Sequence, residues 1–250
     1  MLKVLGFLIA GVSLSAAVAV AQDRALIVIS SHDKLGDTGK PTGWYLSEVT
    51  HVYYPLIKAG YKVDFASPKG GAAPMDPGSR DPKDEDNKRF LEDRAAMKQI
   101  ERTLPLAKVD PKKYKVVHFA GGHGAMWDFP NNPELSRVAA GIYESGGVVA
   151  AVCHGPAALV DIKLSNGEYL IQGKKVNGFT NAEEEEVGLT KVVPFSLANK
   201  LQERGALYEG GKNWENKVVV DGRLVTGQNP QSAHSVAVAI IEVLAVKKAK

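Results

Sequence analysis

One cysteine, Cys153, occurs in a chain of 250 residues, so no internal disulfide can form. None follows Ala21, where a lipoprotein signal would need one. Charge of one sign is missing too: 31 Lys and Arg stand against 28 Asp and Glu, and a formal charge of +3 gives no basis for nucleic-acid binding or membrane steering. No Gly-rich loop followed by Lys and Ser or Thr is present, which removes the usual nucleotide-phosphate cradle. His32, His51, His118, His123 and His234 supply no ligand pair at the tight spacing of a zinc site, although Glu48 and His51 lie one helical turn apart. No required metal and no cofactor are expected.

Apolar length is short at the start as well. Lys3 precedes an apolar run from Val4 to Ala10, and the small residues Ala19-Val20-Ala21 close the segment. This pattern predicts a secretory signal peptide over residues 1–21, too short in its apolar middle to span a bilayer stably. The mature chain is expected to begin at Gln22 as an exported protein, periplasmic or secreted, with no membrane association after cleavage. Export bears on Cys153, because a lone thiol in an oxidising compartment is either sequestered in a core or kept for its reactivity.

What remains is 44% hydrophobic and 24% charged, the balance of a globular protein, and residues 22–250 carry no repeat or linker. "RALIVIS" from Arg24 is a β-branched apolar run suited to a buried parallel strand. "GWYLSEVTHVYYPLIKAG" places Tyr45, Val49, Val52, Tyr53, Leu56 and Ile57 at helical spacing, and "YKVDFAS" is a second strand. The order predicts a βαβ unit. An irregular Pro-, Gly- and charge-rich insertion, about 67–87, is either a lid or a surface loop. Beyond it the pattern predicts a charged helix over 87–104, a strand in "KVVHFAGGHG", and a helix N-capped by Asn132 with Pro133 behind it. "VVAAV" is a fourth strand, and "HGPAALV" the first turns of a helix. A hairpin in "EYLIQGKKVNGFT", a helix over 194–204, an Asp-Gly turn in "VVVDGRLVTG" and a last helix over 231–246 complete one α/β domain.

Cys153 falls between a buried strand and a helix start, the position of a nucleophile elbow. There the helix N-terminus favours the thiolate and lowers the thiol pKa. The alternative is a buried small hydrophobe, the usual fate of a free cysteine. "AGGHG" at 120–124 follows the neighbouring strand, where backbone N–H groups at Gly121 and Gly122 are placed to face the sulfur as an oxyanion hole, with His123 at the pocket wall. Both segments lie at the carboxyl ends of parallel strands, where open α/β sheets bind ligands. Glu48 sits on an otherwise apolar helix; facing inward it would be desolvated and carry a proton, facing outward it would be a solvated surface group. Four consecutive glutamates, Glu183 to Glu186, read from the residues alone as either a solvated face or a site.

"AVCHGP", "AGGHGAMWDFP", "GFTNAEEEEVGL" and "DGRLVTGQNPQSAHS" together resemble the ThiJ/PfpI superfamily, related to the class I glutamine amidotransferases, and within it the heat-shock chaperone and glyoxalase III branch. The resemblance runs from Arg24 to Leu244. It implies a flavodoxin-like doubly wound, mostly parallel sheet with helices on both faces, Cys153 as nucleophile, His154 as proton carrier, Glu184 as the acidic partner, and Glu48 as the first-helix glutamate beside the sulfur. It further implies a homodimer and a cofactor-independent, glutathione-independent glyoxalase that takes methylglyoxal to lactate through a hemithioacetal on Cys153. A stress holdase chaperone is the alternative within the same branch. A cysteine peptidase or amidase with a Cys153-His154-Glu184 triad is another, and it would need a cleft open to a peptide.

Overall fold

The computed structural model describes residues 22–248, so the signal peptide expected over 1–21 lies outside the described residues. β1 (Arg24–Val28) begins the chain, followed by α1 (Leu46–Lys58) and β2 (Lys62–Ser67), the expected βαβ unit with its strands parallel. Tyr53 and Leu56 are buried on the predicted face of α1, but Ile57 is turned outward, 43% exposed. The insertion runs from β2 as a loop with one 3-10 turn at Pro77–Ser79 and is pinned to the start of α1, where Trp44 N–H donates to the Pro74 carbonyl at 3.0 Å.

The charged helix expected over 87–104 is two helices, α2 (Glu85–Glu92) and α3 (Arg94–Ile100), followed by a short edge strand β3 (Leu104–Pro105). Asp93 divides them. Its backbone leaves the helical region at ψ 98°, and its carboxylate accepts from the N–H groups of Ala95 and Ala96 at 2.8 and 3.1 Å. An aspartate that caps the next turn competes with continuing the helix it ends.

β4 (Val116–Phe119) leads to a short α4 (Ala125–Asp128) that the sequence did not announce, then to α5 (Pro133–Glu144), N-capped by Asn132 as expected. β5 (Val148–Val152) runs straight into Cys153, and the segment after it, Gly155–Asp161, winds as a 3-10 helix instead of an α-helix. The predicted hairpin after Glu168 does not form. Leu170 and Ile171 are buried in a turn over 170–173, and β6 (Lys175–Val176) instead pairs in parallel with β7 (Leu207–Tyr208) in a separate two-stranded sheet. Between them lie α6 (Asn181–Glu186) and α7 (Leu197–Glu203), the latter starting after its Ser196 cap and not at Pro194. β8 (Val218–Asp221) and β9 (Leu224–Gly227) make the expected antiparallel hairpin, and α8 (Ala233–Lys248) closes the fold after a 3-10 turn at Pro230–Ser232.

The main sheet has the order β3-β2-β1-β4-β5-β9-β8, parallel except for β8. Its central strands are apolar on both faces because α1 and α8 pack against each other over β1, β5 and β9 while α5 covers β4 and β5. This is the doubly wound, flavodoxin-like arrangement. The chain winds outward through β2 and β3, then returns to the other side of β1 at β4. That reversal opens a crevice at the carboxyl ends of β1 and β4, beside the end of β5.

Candidate active site

Cys153 leaves β5 with φ +60°, a left-handed conformation for a non-glycine residue, held by its N–H to the Gly227 carbonyl at 3.0 Å and by the Phe179 N–H donating to its carbonyl at 2.8 Å. So sharp a turn needs room behind it. A Cβ on Gly155 would lie 2.1 Å from the Phe119 carbonyl oxygen, and one on Gly121 would lie 2.6 Å from the His154 nitrogen and 2.8 Å from Glu48 Oε2. These two glycines let the elbow, the loop after β4 and the first helix touch.

His154 faces its neighbour, with Sγ and Nδ1 3.4 Å apart. Its Nε2 lies 2.8 Å from Glu184 Oε2, and His123 Nε2 lies 2.9 Å from Glu184 Oε1. Burial raises the Glu184 carboxyl, but the hydrogen bonds of His123 and His154 outweigh it and bring the pKa down to about 2. An ionised carboxylate only accepts, so both Nε2 atoms carry the hydrogen. Burial, and then the charge of His123, lower His154 to about 4, so it is neutral at pH 7. Nδ1 is therefore bare and turned toward the thiol.

Among the four glutamates the tertiary structure makes the assignment. Glu183 is the N3 residue of a capping box with Thr180, and it also accepts from Trp214 N, Gln228 Nε2 and Asn229 Nδ2 at 2.9, 3.0 and 2.8 Å. Glu184, one residue on, points to the histidines. Glu185 and Glu186 are exposed, and Glu186 accepts from the Trp214 indole at 2.8 Å. Part of the signal was present in "TNAE": a Thr followed three residues later by Glu marks a capping box, Thr180 as the cap and Glu183 as its N3 partner, which leaves Glu184 free for chemistry.

Glu48 is fully buried on α1. Burial pushes its carboxyl up to about 8, with Asp76 adding to the rise and hydrogen bonds with Cys153 and Gly121 opposing it. At pH 7 it carries a proton. Oε2 accepts from Gly121 N–H at 2.7 Å, and Oε1 has no partner at hydrogen-bond distance from another protein side chain or backbone group. The Cys153 thiol does not follow the sequence expectation: burial raises its pKa, the charge and hydrogen bond of Glu48 raise it further, and only the His154 N–H lowers it. A seven-residue 3-10 segment presents a weaker N-terminal dipole than the α-helix assumed, and it cannot offset complete desolvation. Two buried anions in contact are unfavourable, so Glu48 and Cys153 titrate as a pair holding at most one negative charge near neutrality. The expected oxyanion role of Gly121 is also corrected, since its N–H is spent on Glu48; Gly122 lines the cavity.

That cavity, about 300 Å³, is walled by Tyr45, His123, Cys153, His154, Phe179 and Trp214, and its rim takes Asp76 and Gly78 from the insertion. The insertion is thus part of the pocket wall. Phe179 lies 4.5 Å from the His154 ring, and Trp214, itself at φ +62°, stands edge-on to Phe179 at 5.7 Å. Sequence reasoning missed Tyr45, Phe179 and Trp214 as pocket residues: Tyr45 was counted on the apolar face of the first helix, where it is the N-cap and turns to the cavity, and Phe179 and Trp214 lie in loops, which carry no periodicity.

Fold and site together define a doubly wound α/β protein built around a cysteine elbow. Residues 42–243 match the DJ-1/PfpI family, and the chain belongs to it. It is 34% identical over 232 residues to "Glyoxalase 3" of Candida albicans, covering 87% of this chain and 97% of that protein. It is 33% identical over 241 residues to "Glutathione-independent glyoxalase HSP31" of Saccharomyces cerevisiae, covering 90% and 99%. The crystal structure of the 24 kDa rapid encystment protein of Francisella tularensis superposes with a TM-score of 0.86 at 44% identity, covering 89% of this chain and 99% of that one.

Proposed function

We propose that this protein is a glutathione-independent glyoxalase that converts methylglyoxal, or a 2-oxoaldehyde like it, to the 2-hydroxy acid, in a methylglyoxal detoxification role. The observation that carries the reading is the pairing of a protonated, buried Glu48 with a thiol whose other face meets the bare Nδ1 of His154. As the sulfur adds to the aldehyde carbon, its proton passes to His154 Nδ1, and Glu184 stabilises the resulting imidazolium. Glu48 gives its proton to the developing alkoxide, forming the hemithioacetal, and becomes a carboxylate. It is then the base that removes the proton on C1 while His154 protonates the oxygen on C2, giving an enediol. Glu48 returns its proton to C2 while the C1 hydroxyl gives its proton to His154, leaving a 2-hydroxyacyl thioester on Cys153, and water cleaves the thioester to release the acid and the thiol. A carboxyl near pH 8 is suited to act first as acid and then as base.

The similarity to proteins named as glyoxalases supports this chemistry. The small size of the cavity, about 300 Å³, and a cysteine only 3% exposed favour a small aldehyde over a peptide. Export and a homodimer belong to the same proposal; the first is supported by the residues 1–21 pattern, the second by the family resemblance. Purified protein should form lactate from methylglyoxal without glutathione, and Cys153→Ser should lower the rate at least about 10³-fold, the scale of losing a covalent nucleophile. Equal rates in the two proteins would sink the reading, whereas holdase activity surviving Cys153→Ser would only add a second activity.

A further inference from the structure

Spacing along the chain offers no zinc pair, yet the fold gathers one. His123 arrives from the loop after β4, His154 from the elbow after β5, and Glu184 from α6, so three separate elements converge on one point. One nitrogen or oxygen from each lies within 4.8 Å of the other two. Both carboxylate oxygens of Glu184 are turned to the histidines, at 2.9 and 2.8 Å, and the two imidazole rings are 4.1 Å apart. His123 lines the cavity with its side chain 18% exposed, which gives an ion a way in from solvent.

We propose that His123 Nε2, His154 Nε2 and Glu184 bind a divalent cation of the zinc class, and that this ion is an inhibitor of the site. Two imidazoles and a carboxylate are a ligand set that divalent zinc accepts with a position left for water. Bonds of about 2.0–2.2 Å around a tetrahedral ion place the ligand atoms roughly 3.3 Å apart. From the present spacing the ligand atoms have to draw together by up to about 1.5 Å. The carboxylate offsets part of the ion's charge, and α6 is anchored by the buried Glu183 network next to it.

Binding changes the role of His154. In the metal-free site its hydrogen is on Nε2 and Nδ1 accepts from the thiol. When the ion takes the Nε2 lone pair, that hydrogen must move to Nδ1 through exchange with water, and His123 makes the same change. No proton is lost from either ring. Nδ1 then presents N–H to Cys153 Sγ, 3.4 Å away, and has no lone pair for the thiol proton. Addition to the aldehyde stops. This last consequence rests on the glyoxalase reading, whereas the binding itself does not.

The test uses the full mature protein stripped with a chelator and titrated with Zn2+ by calorimetry. One ion per chain is expected, with micromolar or tighter affinity. Affinity should fall at least about 10-fold in His123→Ala and again in Glu184→Gln, and be retained in Cys153→Ser. Co2+ in place of Zn2+ on the unaltered protein should give a tetrahedral spectrum without a thiolate charge-transfer band. Turnover of methylglyoxal should fall in step with occupancy and return on adding chelator. Absence of stoichiometric binding, binding unchanged in both ligand variants, loss of binding in Cys153→Ser, a cobalt–thiolate band, or full turnover by the loaded protein would each overturn the proposal. Failure of the metal-free protein to act on methylglyoxal would instead count against the glyoxalase reading and leave the binding result standing.

Discussion

Glu48 is where a single side chain sets both chemistry and stability. Its folded pKa of about 8 stands above the ordinary 4.5, so the folded state holds a proton that the unfolded chain has released throughout that window. The contribution is fully present below about pH 4.5 and is lost as pH rises toward 8. Glu48→Gln keeps an acceptor for Gly121 N–H and cannot ionise. Its stability relative to the native protein should therefore grow with pH, by on the order of 2–4 kcal/mol between pH 5 and 8, read by thermal unfolding across that range. A flat difference would show that Glu48 is not held neutral by burial. The same substitution removes the acid and the base of the proposed reaction, so kcat should drop about 10²–10⁴-fold. From the sequence, Glu48 was legible as a polar residue on an apolar helix, but whether it faced in or out depended on how α1 is rolled against the sheet.

At the scale of elements, α6 shows how six residues can carry a functional group to its place. Glu183 accepts from the Thr180 N–H and hydroxyl at 2.9 and 3.0 Å as well as from Trp214, Gln228 and Asn229, which ties α6 to the loop after β7 and to the end of β9. Glu183→Ala would strand several buried donors at once, and we expect a loss of about 3 kcal/mol or more in chemical denaturation together with reduced turnover as Glu184 loses its support. Glu185→Ala, at an exposed position, should stay within about 0.5 kcal/mol of the native protein. Equal effects would refute the assignment of the four glutamates. Elements with strong local codes were legible in advance: the β-branched runs of β1 and β5, the Asn-Pro start of α5 and the Asp-Gly hairpin of β8 and β9. Those decided by competition were not. Asp93 split a charged helix, and Leu170 with Ile171 turned an expected hairpin into a buried turn, because in each case a side chain found a better partner than the local pattern offered.

For the whole molecule, the proposal joins export to a paired quaternary state. Native mass spectrometry of protein recovered from an exporting host should find a chain beginning at Gln22 and twice its mass. A full-length amino terminus would refute signal cleavage, and a monomer at all concentrations would refute the dimer. The hydrogen bonds from Cys153 to His154, from His154 to Glu184 and from Gly121 to Glu48 are all made within one chain.

By itself the sequence determined the α/β class, the strand-to-helix setting of Cys153, and the small set of residues from which a reactive site would be drawn, because these follow from local periodicity, turn chemistry and motif order. Only the tertiary structure decided that Glu48 faces inward, that Gly121 serves Glu48 and not an oxyanion, and that the thiol pKa rises instead of falling; it also set Glu184, the glutamate named by the resemblance, against His154. Those outcomes depend on desolvation and on contacts between residues 30 to 105 positions apart, as with the hydrogen bond of His154 and Glu184 or the charge of Glu48 acting on Cys153, and such contacts exist only once the sheet has brought its carboxyl ends together.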